Sequence, residues 1–315
     1  MLDGGLAHQL EAQGCDLSDA LWSARLLADD PAQIERAHAA YVRAGAQVLI
    51  TASYQASYEG FARRGLDRRQ VDALLRRSVH LARRAAAESA EAAGGAGRTG
   101  TGVGAGTGAD AGGVWVAGGV GPYGAMLADG SEYRGQYGLS VRELAAFHRP
   151  RIAALAGARP DVLALETVPD IDEAEAMLWA AEDCGVPVWL SYSVKGRFTR
   201  SGQPLERAFA LAADNDQVIA VGVNCSTPAD AEAAVRLAAL VAGKPVVLYP
   251  NSGEEWDATV GDWQGRATFD AARVGAWQRD GARLVGGCCR VGPDRIAELA
   301  AAVRAEGRQH GRERG

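Results

Sequence analysis

The sequence is poor in cysteine and aromatics, has no excess of positive charge and contains no long apolar run. Five cysteines in 315 residues are too few, and odd in number, for a disulfide framework. Their use therefore points to a reducing compartment, the cytoplasm, where thiols serve chemistry. A net charge of −6 excludes the broad basic footprint that nucleic-acid binding requires. Arginine pairs such as Arg63-Arg64 and Arg83-Arg84 read instead as solvated helix faces. No stretch of roughly 18 apolar residues is present, so no membrane span is expected. The start lacks a basic segment followed by an apolar one, which argues against a signal peptide. No G-x-G-x-x-G follows the first strand, which weakens a dinucleotide-binding reading. None of the histidines His8, His38, His80, His148 and His310 ends a predicted strand, and none is assigned a catalytic role.

What is present is an alternation. Short apolar runs, Ala46–Thr51, Val114–Gly118, Val162–Glu166, Val186–Ser191, Val218–Val223, Val246–Tyr249 and Arg283–Gly286, are separated by helical patterns. Near-continuous apolar strands indicate parallel strands buried on both faces. Val71, Leu74, Leu75 and Val79 share one helix face, as do Ala174, Met177, Leu178 and Ala181, and Ile296, Leu299, Ala300 and Val303. Seven strands, with Met1-Leu2-Asp3 as the end of an eighth, predict an α/β fold, a (β/α)8 TIM barrel in a single domain over 1–306. Its first strand is truncated in this reading, and the neighbouring strand edges are expected to lack partners. The glycine-rich insert at 93–113 and the tail at 307–315 are expected to be loose, because neither buries enough apolar surface to offset its ordering entropy.

In such a barrel the active site lies at the C-terminal ends of the strands. Asp3, Thr51 with Ser53, Gly118 to Tyr123, Glu166-Thr167, Ser191 to Ser193, Asn224-Cys225, Pro250 to Glu254 and Cys288-Cys289 fall there. Two adjacent cysteines rarely form a strain-free disulfide. With a sharp turn before them, here Gly286-Gly287, both can ligate one ion, and Cys225 on a nearby strand supplies a third sulfur. Three thiolates with no fourth protein ligand are the pattern of a catalytic zinc with an open position. Cys15 and Cys184 read as small buried hydrophobes. Gly286-Gly287 has a second reading as a phosphate cradle, a common use of that corner.

Three anionic sulfurs make zinc a poor Lewis acid for hydrolysis. They suit it to hold a fourth, substrate thiol as a thiolate near neutral pH, where a free thiol of pKa about 8.5 is mostly protonated. The chemistry implied is alkylation of a small amino-acid thiol. Asp3 and Glu166 are then candidates to hold its ammonium group, and N–H groups of the glycine-rich turns its carboxylate.

The segments Leu2-Asp-Gly-Gly5, Ala44 to Gln47, Thr51-Ala-Ser-Tyr-Gln-Ala56, Gly119 to Gly124, Asp129-Gly-Ser-Glu-Tyr-Arg134, Glu166-Thr-Val-Pro169, Gly222 to Cys225, Tyr249 to Glu254 and Gly286 to Arg290 together resemble the homocysteine S-methyltransferases. The closest branch is the bacterial and plant one that uses S-methylmethionine. The resemblance implies Zn2+ on Cys225, Cys288 and Cys289. It implies homocysteine held by Asp3, Gly4, Gly5 and Glu166, with Asn224 beside the metal and Thr51 and Gln55 in the substrate site. The implied reaction moves a methyl group from a sulfonium donor, S-methylmethionine or S-adenosylmethionine, to homocysteine and gives methionine. Gln55 stands where betaine-using relatives carry a tyrosine, which favours the sulfonium donor. The alternatives are a betaine or other donor on the same zinc site, and a zinc- or thiol-sensing barrel without turnover.

Overall fold

The computed structural model describes residues 1–94, 113–257 and 262–313. The strands are β1 (Val48–Ile50), β2 (Trp115–Val120), β3 (Val162–Val168), β4 (Val188–Tyr192), β5 (Val194–Lys195), β6 (Phe198–Thr199), β7 (Val218–Asn224), β8 (Val246–Tyr249), β9 (Glu255–Asp257), β10 (Asp262–Gln264) and β11 (Ala282–Val285). Seven of them form one curled parallel sheet in the order β1-β2-β3-β4-β7-β8-β11. Neighbours in this sheet are consecutive along the chain apart from two small antiparallel hairpins, β5-β6 and β9-β10. Sequence periodicity located all seven sheet strands and missed both hairpins, whose short strands carry too few residues to show a period.

The two edges of the sheet do not stay open. Leu2 forms a parallel bridge with Val48. The Leu2 N–H donates to Val285 O at 2.8 Å, and the Asp3 N–H to Val48 O at 3.0 Å. Residues 1–3 thus sit between β1 and β11 and give both edges partners, contrary to the unpaired edges the short first strand had suggested. Only a few ladder bonds are needed there, because β1 is itself three residues long.

Strand alternation then sorts the side chains into two layers. One face packs Leu2, Val48, Ala117, Val162, Ala164, Trp189, Ala220, Val247 and Tyr249 into a compact inner cluster. Small residues face Trp189 and Tyr249, which fill the space that alanines leave. The other face packs against helices, including Pro31–Ala44, Arg68–Gly94, Val141–Ala156, Ile171–Ala181 and Pro228–Ala242. The predicted helix stripes are the buried ones: Val71, Leu74, Leu75 and Val79, and Ala174, Met177, Leu178 and Ala181.

Caps mark several of these helices. Ser140 and Glu143 form a reciprocal capping box, and Asp170 and Thr227 cap the next two with their side chains. The last helix runs Pro293–Glu313, past Glu306, where the sequence led us to expect a loose tail. The glycine-rich insert expected at 93–113 lies outside the described residues between 95 and 112. No helix among the described residues is long and apolar enough to cross a membrane.

Candidate active site

The alternation that builds the inner cluster also aims the polar residues. On β3, Val162 and Ala164 face inward, so Glu166 does too, at the strand's C-terminal end. On β7 and β8 the same parity turns Asn224 and Tyr249 inward. At this rim lies a cleft of about 920 Å³, counting its open mouth, lined by Gly4, Gly5, Thr51, Tyr54, Tyr133, Glu166, Thr167, Cys225, Tyr249, Cys288 and Cys289 among others.

The sulfurs of Cys225, Cys288 and Cys289 lie within 4.8 Å of one another, with Cys225 Sγ 3.5 Å from Cys289 Sγ. Ligands about 2.3 Å from a tetrahedral ion stand about 3.8 Å apart, so the cluster has the size and the donor chemistry to hold one metal ion. The backbone sets this geometry. Cys225 has φ 49°, a left-handed conformation uncommon for a residue with a Cβ. That conformation swings its thiol toward the β11 loop. There the Cys288 N–H donates to Pro250 O at 2.8 Å and the Cys289 N–H to Asn251 Oδ1 at 3.1 Å. The Tyr133 hydroxyl lies 3.3 Å from Cys225 Sγ. Hydrogen bonds from Cys288 and Cys289 lower the pKa of Cys225 well below the ordinary thiol range.

Beside the sulfurs stand two buried carboxyls. Asp3 Oδ2 accepts from the Ile50 N–H at 2.9 Å, and Asp3 Oδ1 is buried without a partner. Glu166 Oε2 accepts from the Tyr249 hydroxyl at 3.1 Å, and Tyr249 in turn accepts from Trp189 Nε1 at 3.2 Å. Burial pushes both carboxyls up to about 8, Glu166 further aided by the nearby negative charges of Asp3 and Cys225. Among the described residues neither carboxyl has a cationic partner, which is costly for a buried ionised group. The site is thus matched to a cation brought in from outside. Gly119 makes room for Glu166: a Cβ there would stand 3.0 Å from Glu166 Oε1.

Other predicted site residues have different surroundings. The Asn224 amide accepts from the Thr167 N–H and the Ser191 hydroxyl, both at 2.8 Å, and donates to Thr167 Oγ1 at 2.7 Å. It therefore pins Thr167, itself left-handed at φ 58°, and through it the Glu166 turn. Gly4 and Gly5 line the cleft, but the Gly5 N–H already donates to Val291 O at 3.0 Å and does not serve a substrate carboxylate. Thr51 lines the cleft with its hydroxyl tied to Ser53 at 2.7 Å and to the Gly119 N–H at 3.0 Å. Gln55 is buried outside the cleft lining, where its Nε2 donates to Ala125 O at 3.2 Å; the adjacent Tyr54 lines the cleft instead.

The phosphate reading of Gly286-Gly287 fails on its donors. The Gly286 N–H goes to Leu248 O and the Gly287 N–H to Asp3 O, each at 3.0 Å, leaving no cradle of inward N–H groups. Cys15 and Cys184 are half-buried and pack against the core.

Sequence reasoning missed Tyr54, Tyr133, His8 and Arg290, all of which line the cleft. His8 was passed over because it ends no strand; it arrives on the helix Leu6–Ala12 that starts right after the Asp3-Gly4-Gly5 turn. Tyr133 ends a single 3-10 turn, Ser131–Tyr133, too short to give a periodic signal.

A family model described as homocysteine S-methyltransferase matches residues 1–303. The chain is 45% identical over 309 residues to a homocysteine S-methyltransferase of Escherichia coli K12, covering 96% of this chain and 94% of that one. It is 43% identical over 314 residues to homocysteine S-methyltransferase 4 of Zea mays, covering 96% and 89%. The crystal structure of the homocysteine methyltransferase MmuM from Escherichia coli, in a form described as metallated, superposes with a TM-score of 0.80 at 43% identity, covering 95% and 94% of the two chains.

Proposed function

Given that the chain belongs to the homocysteine S-methyltransferase family, we propose that its cleft joins homocysteine to a sulfonium methyl donor, S-methylmethionine first, on a zinc site of three cysteines. The reaction is methyl transfer to the thiol of homocysteine, giving methionine. The observation that carries the site reading is the convergence of Cys225, Cys288 and Cys289 beside two buried carboxyls that lack a cationic partner. The seven-stranded sheet with Leu2 between its edges is read as an eightfold barrel with an abbreviated first strand.

When bound to the three sulfurs, zinc would supply homocysteine as a thiolate at neutral pH. The chain's own residues do the rest. Glu166 receives the substrate ammonium, and Tyr249 fixes the carboxylate's orientation through Oε2. Asp3 Oδ1, buried and without a partner, supports the same charge. Asn224 holds Thr167 and hence the Glu166 turn in place.

In the transfer, a new bond forms between the acceptor sulfur and the methyl carbon while the donor's C–S bond breaks. Its electron pair returns to the donor sulfur, which departs as a neutral thioether. The leaving group takes no proton, so no general acid is required and much of the rate comes from alignment. The metal-binding reading without turnover has no use for Glu166 and Asp3, whose burial as carboxyls is otherwise a pure cost.

The pH dependence has a definite sign. At pH 7 the raised carboxyls are largely protonated, and an entering ammonium must displace that proton. The KM for homocysteine should therefore rise as pH falls below about 8, more steeply in the wild type than in Glu166→Gln, whose site has lost one titrating group. Parallel KM profiles from pH 6.5 to 9 check this, and identical slopes would remove Glu166 from the ammonium site. The direct test of the whole reading is methionine formation from homocysteine by zinc-loaded protein, with S-methylmethionine, S-adenosylmethionine and betaine offered separately. Turnover is expected with the sulfonium compounds. No turnover with any donor, in folded protein that holds zinc, would overturn it.

A further inference from the structure

Behind the cleft wall, among the helices that flank the sheet, lies a set of buried polar groups that the transfer chemistry leaves unused. Arg151 and His148 on the helix Val141–Ala156 and Glu173 on the helix Ile171–Ala181 are at most 1% exposed. None of the three lines the cleft. His148 Nε2 stands 2.9 Å from Glu173 Oε1. Burying such groups costs solvation that apolar side chains in the same space would not lose. Their remaining contacts run to two loops of the active site. Arg151 Nη2 donates to Tyr54 O at 2.8 Å and Nη1 to Gly121 O at 3.1 Å. One guanidinium fork thus joins the loop after β1 to the loop after β2. Glu173 Oε1 accepts from the Tyr123 N–H at 2.5 Å, which fixes the second loop two residues further on.

What the fork holds is Tyr54. The Gly121 N–H also donates to Tyr54 O, at 3.3 Å. The Tyr54 ring lies so close over Gly121 that a Cβ there would stand 2.6 Å from its Cδ2 and Cε2. The far end of the tyrosine reaches the working part of the site. Its hydroxyl is hydrogen-bonded to the Thr167 side chain and lies within electrostatic reach of both Glu166 and Cys225. Tyr54 itself lines the cleft. Homocysteine, as placed above, stretches between those same two residues, with its ammonium at Glu166 and its sulfur at the metal.

We propose that Tyr54 is the wall against which homocysteine is aligned, and that Arg151 is the positioning residue that sets this wall, with Glu173 securing the loop beside it. This assignment rests on the homocysteine reading above and adds the residues that align the acceptor within its site. Arginine suits the task because its planar fork offers donors to two carbonyls at once, which the single ammonium of a lysine does not reproduce. Burial lowers the guanidinium only to about 10, so it stays protonated and keeps both donors at neutral pH. Alignment is where a transfer without a general acid gains its rate. A shift of the tyrosine changes the angle at which the acceptor sulfur meets the methyl carbon, although Arg151 touches neither.

The test is a double-mutant cycle read as kcat/KM for homocysteine on metal-loaded protein, with S-methylmethionine as donor. Tyr54→Ala and Arg151→Lys should each lower that constant by about tenfold to a hundredfold, with metal content unchanged. Because Arg151 acts through Tyr54, Arg151→Lys should cost less than about twofold once Tyr54 is replaced by alanine. A merely structural role would lower thermal stability and give the same loss in both backgrounds. Gly121→Ala reaches the tyrosine without touching the buried charges. Its Cβ pushes directly on the ring, so the same constant should fall even where Arg151→Lys does not fold. An unchanged constant in Tyr54→Ala or in Gly121→Ala, or equal losses for Arg151→Lys in both backgrounds, would overturn the assignment. Failure of the wild type to methylate homocysteine from any sulfonium donor would instead sink the reading beneath it.

Discussion

Cys225→Ser, Cys288→Ser or Cys289→Ser is expected to remove bound metal and turnover together, while the protein stays folded. Each serine keeps the volume and loses the soft, easily ionised donor that a thiolate site needs. Two thiolates and one weakly binding hydroxyl cannot hold the ion at the affinity of three thiolates. The acceptor thiol then reverts to its free pKa of about 8.5 and loses its fixed position. Loss of positioning alone is worth several orders of magnitude in effective concentration, so kcat/KM should fall by roughly a thousandfold or more.

The fold should tolerate the change, because the loop holding Cys288 and Cys289 is anchored by its backbone, through Pro250 O and Asn251 Oδ1. Metal content by elemental analysis, thermal melting and methionine formation on one preparation check all three expectations. Full activity in any of the three variants would sink the three-sulfur model. Loss of the fold would show that the cysteines act through packing.

Glu166→Ala should act on a different constant. The carboxyl is buried, accepts from Tyr249 and, in the proposed site, receives the acceptor's ammonium. Its removal takes away a charge-assisted bond and leaves the Tyr249 hydroxyl without its acceptor, so the KM for homocysteine should rise on the order of a hundredfold. Metal content should be unchanged, since Glu166 is not among the sulfur ligands. Glu166→Gln separates the two causes: it keeps an acceptor for Tyr249 and loses only the charge. A matching rise in KM assigns the effect to charge, and recovery to the wild-type value assigns it to support of the Tyr249–Trp189 chain. If either variant loses its metal as well, Glu166 is structural and the ammonium site lies elsewhere.

Much of this site was legible in the sequence because chemistry constrains residue type more tightly than shape does. Few functions explain a cysteine doublet after two glycines together with a third cysteine at another strand end, and all of those functions use a metal. Glu166 stood out as a carboxylate inside an apolar strand, and its inward direction follows from strand parity. For two of the expected site residues the sequence did not show the connections. Asn224 sits beside the cysteine as expected, yet its amide is engaged by Thr167 and Ser191 across the strands. Gln55 lies one residue from the cleft-lining Tyr54, and one residue is enough to turn a side chain away.

Sequence alone therefore determined the α/β class, the seven sheet strands, the three cysteines that converge and the class of reaction. These rest on periodicity and residue chemistry, which are local and additive along the chain. Tertiary structure alone decided that residues 1–3 pair with both sheet edges, and that Tyr54, Tyr133 and His8 reach the cleft. Those facts depend on long-range packing between segments far apart in the chain, such as Tyr133 and Cys225, whose meeting no local pattern encodes.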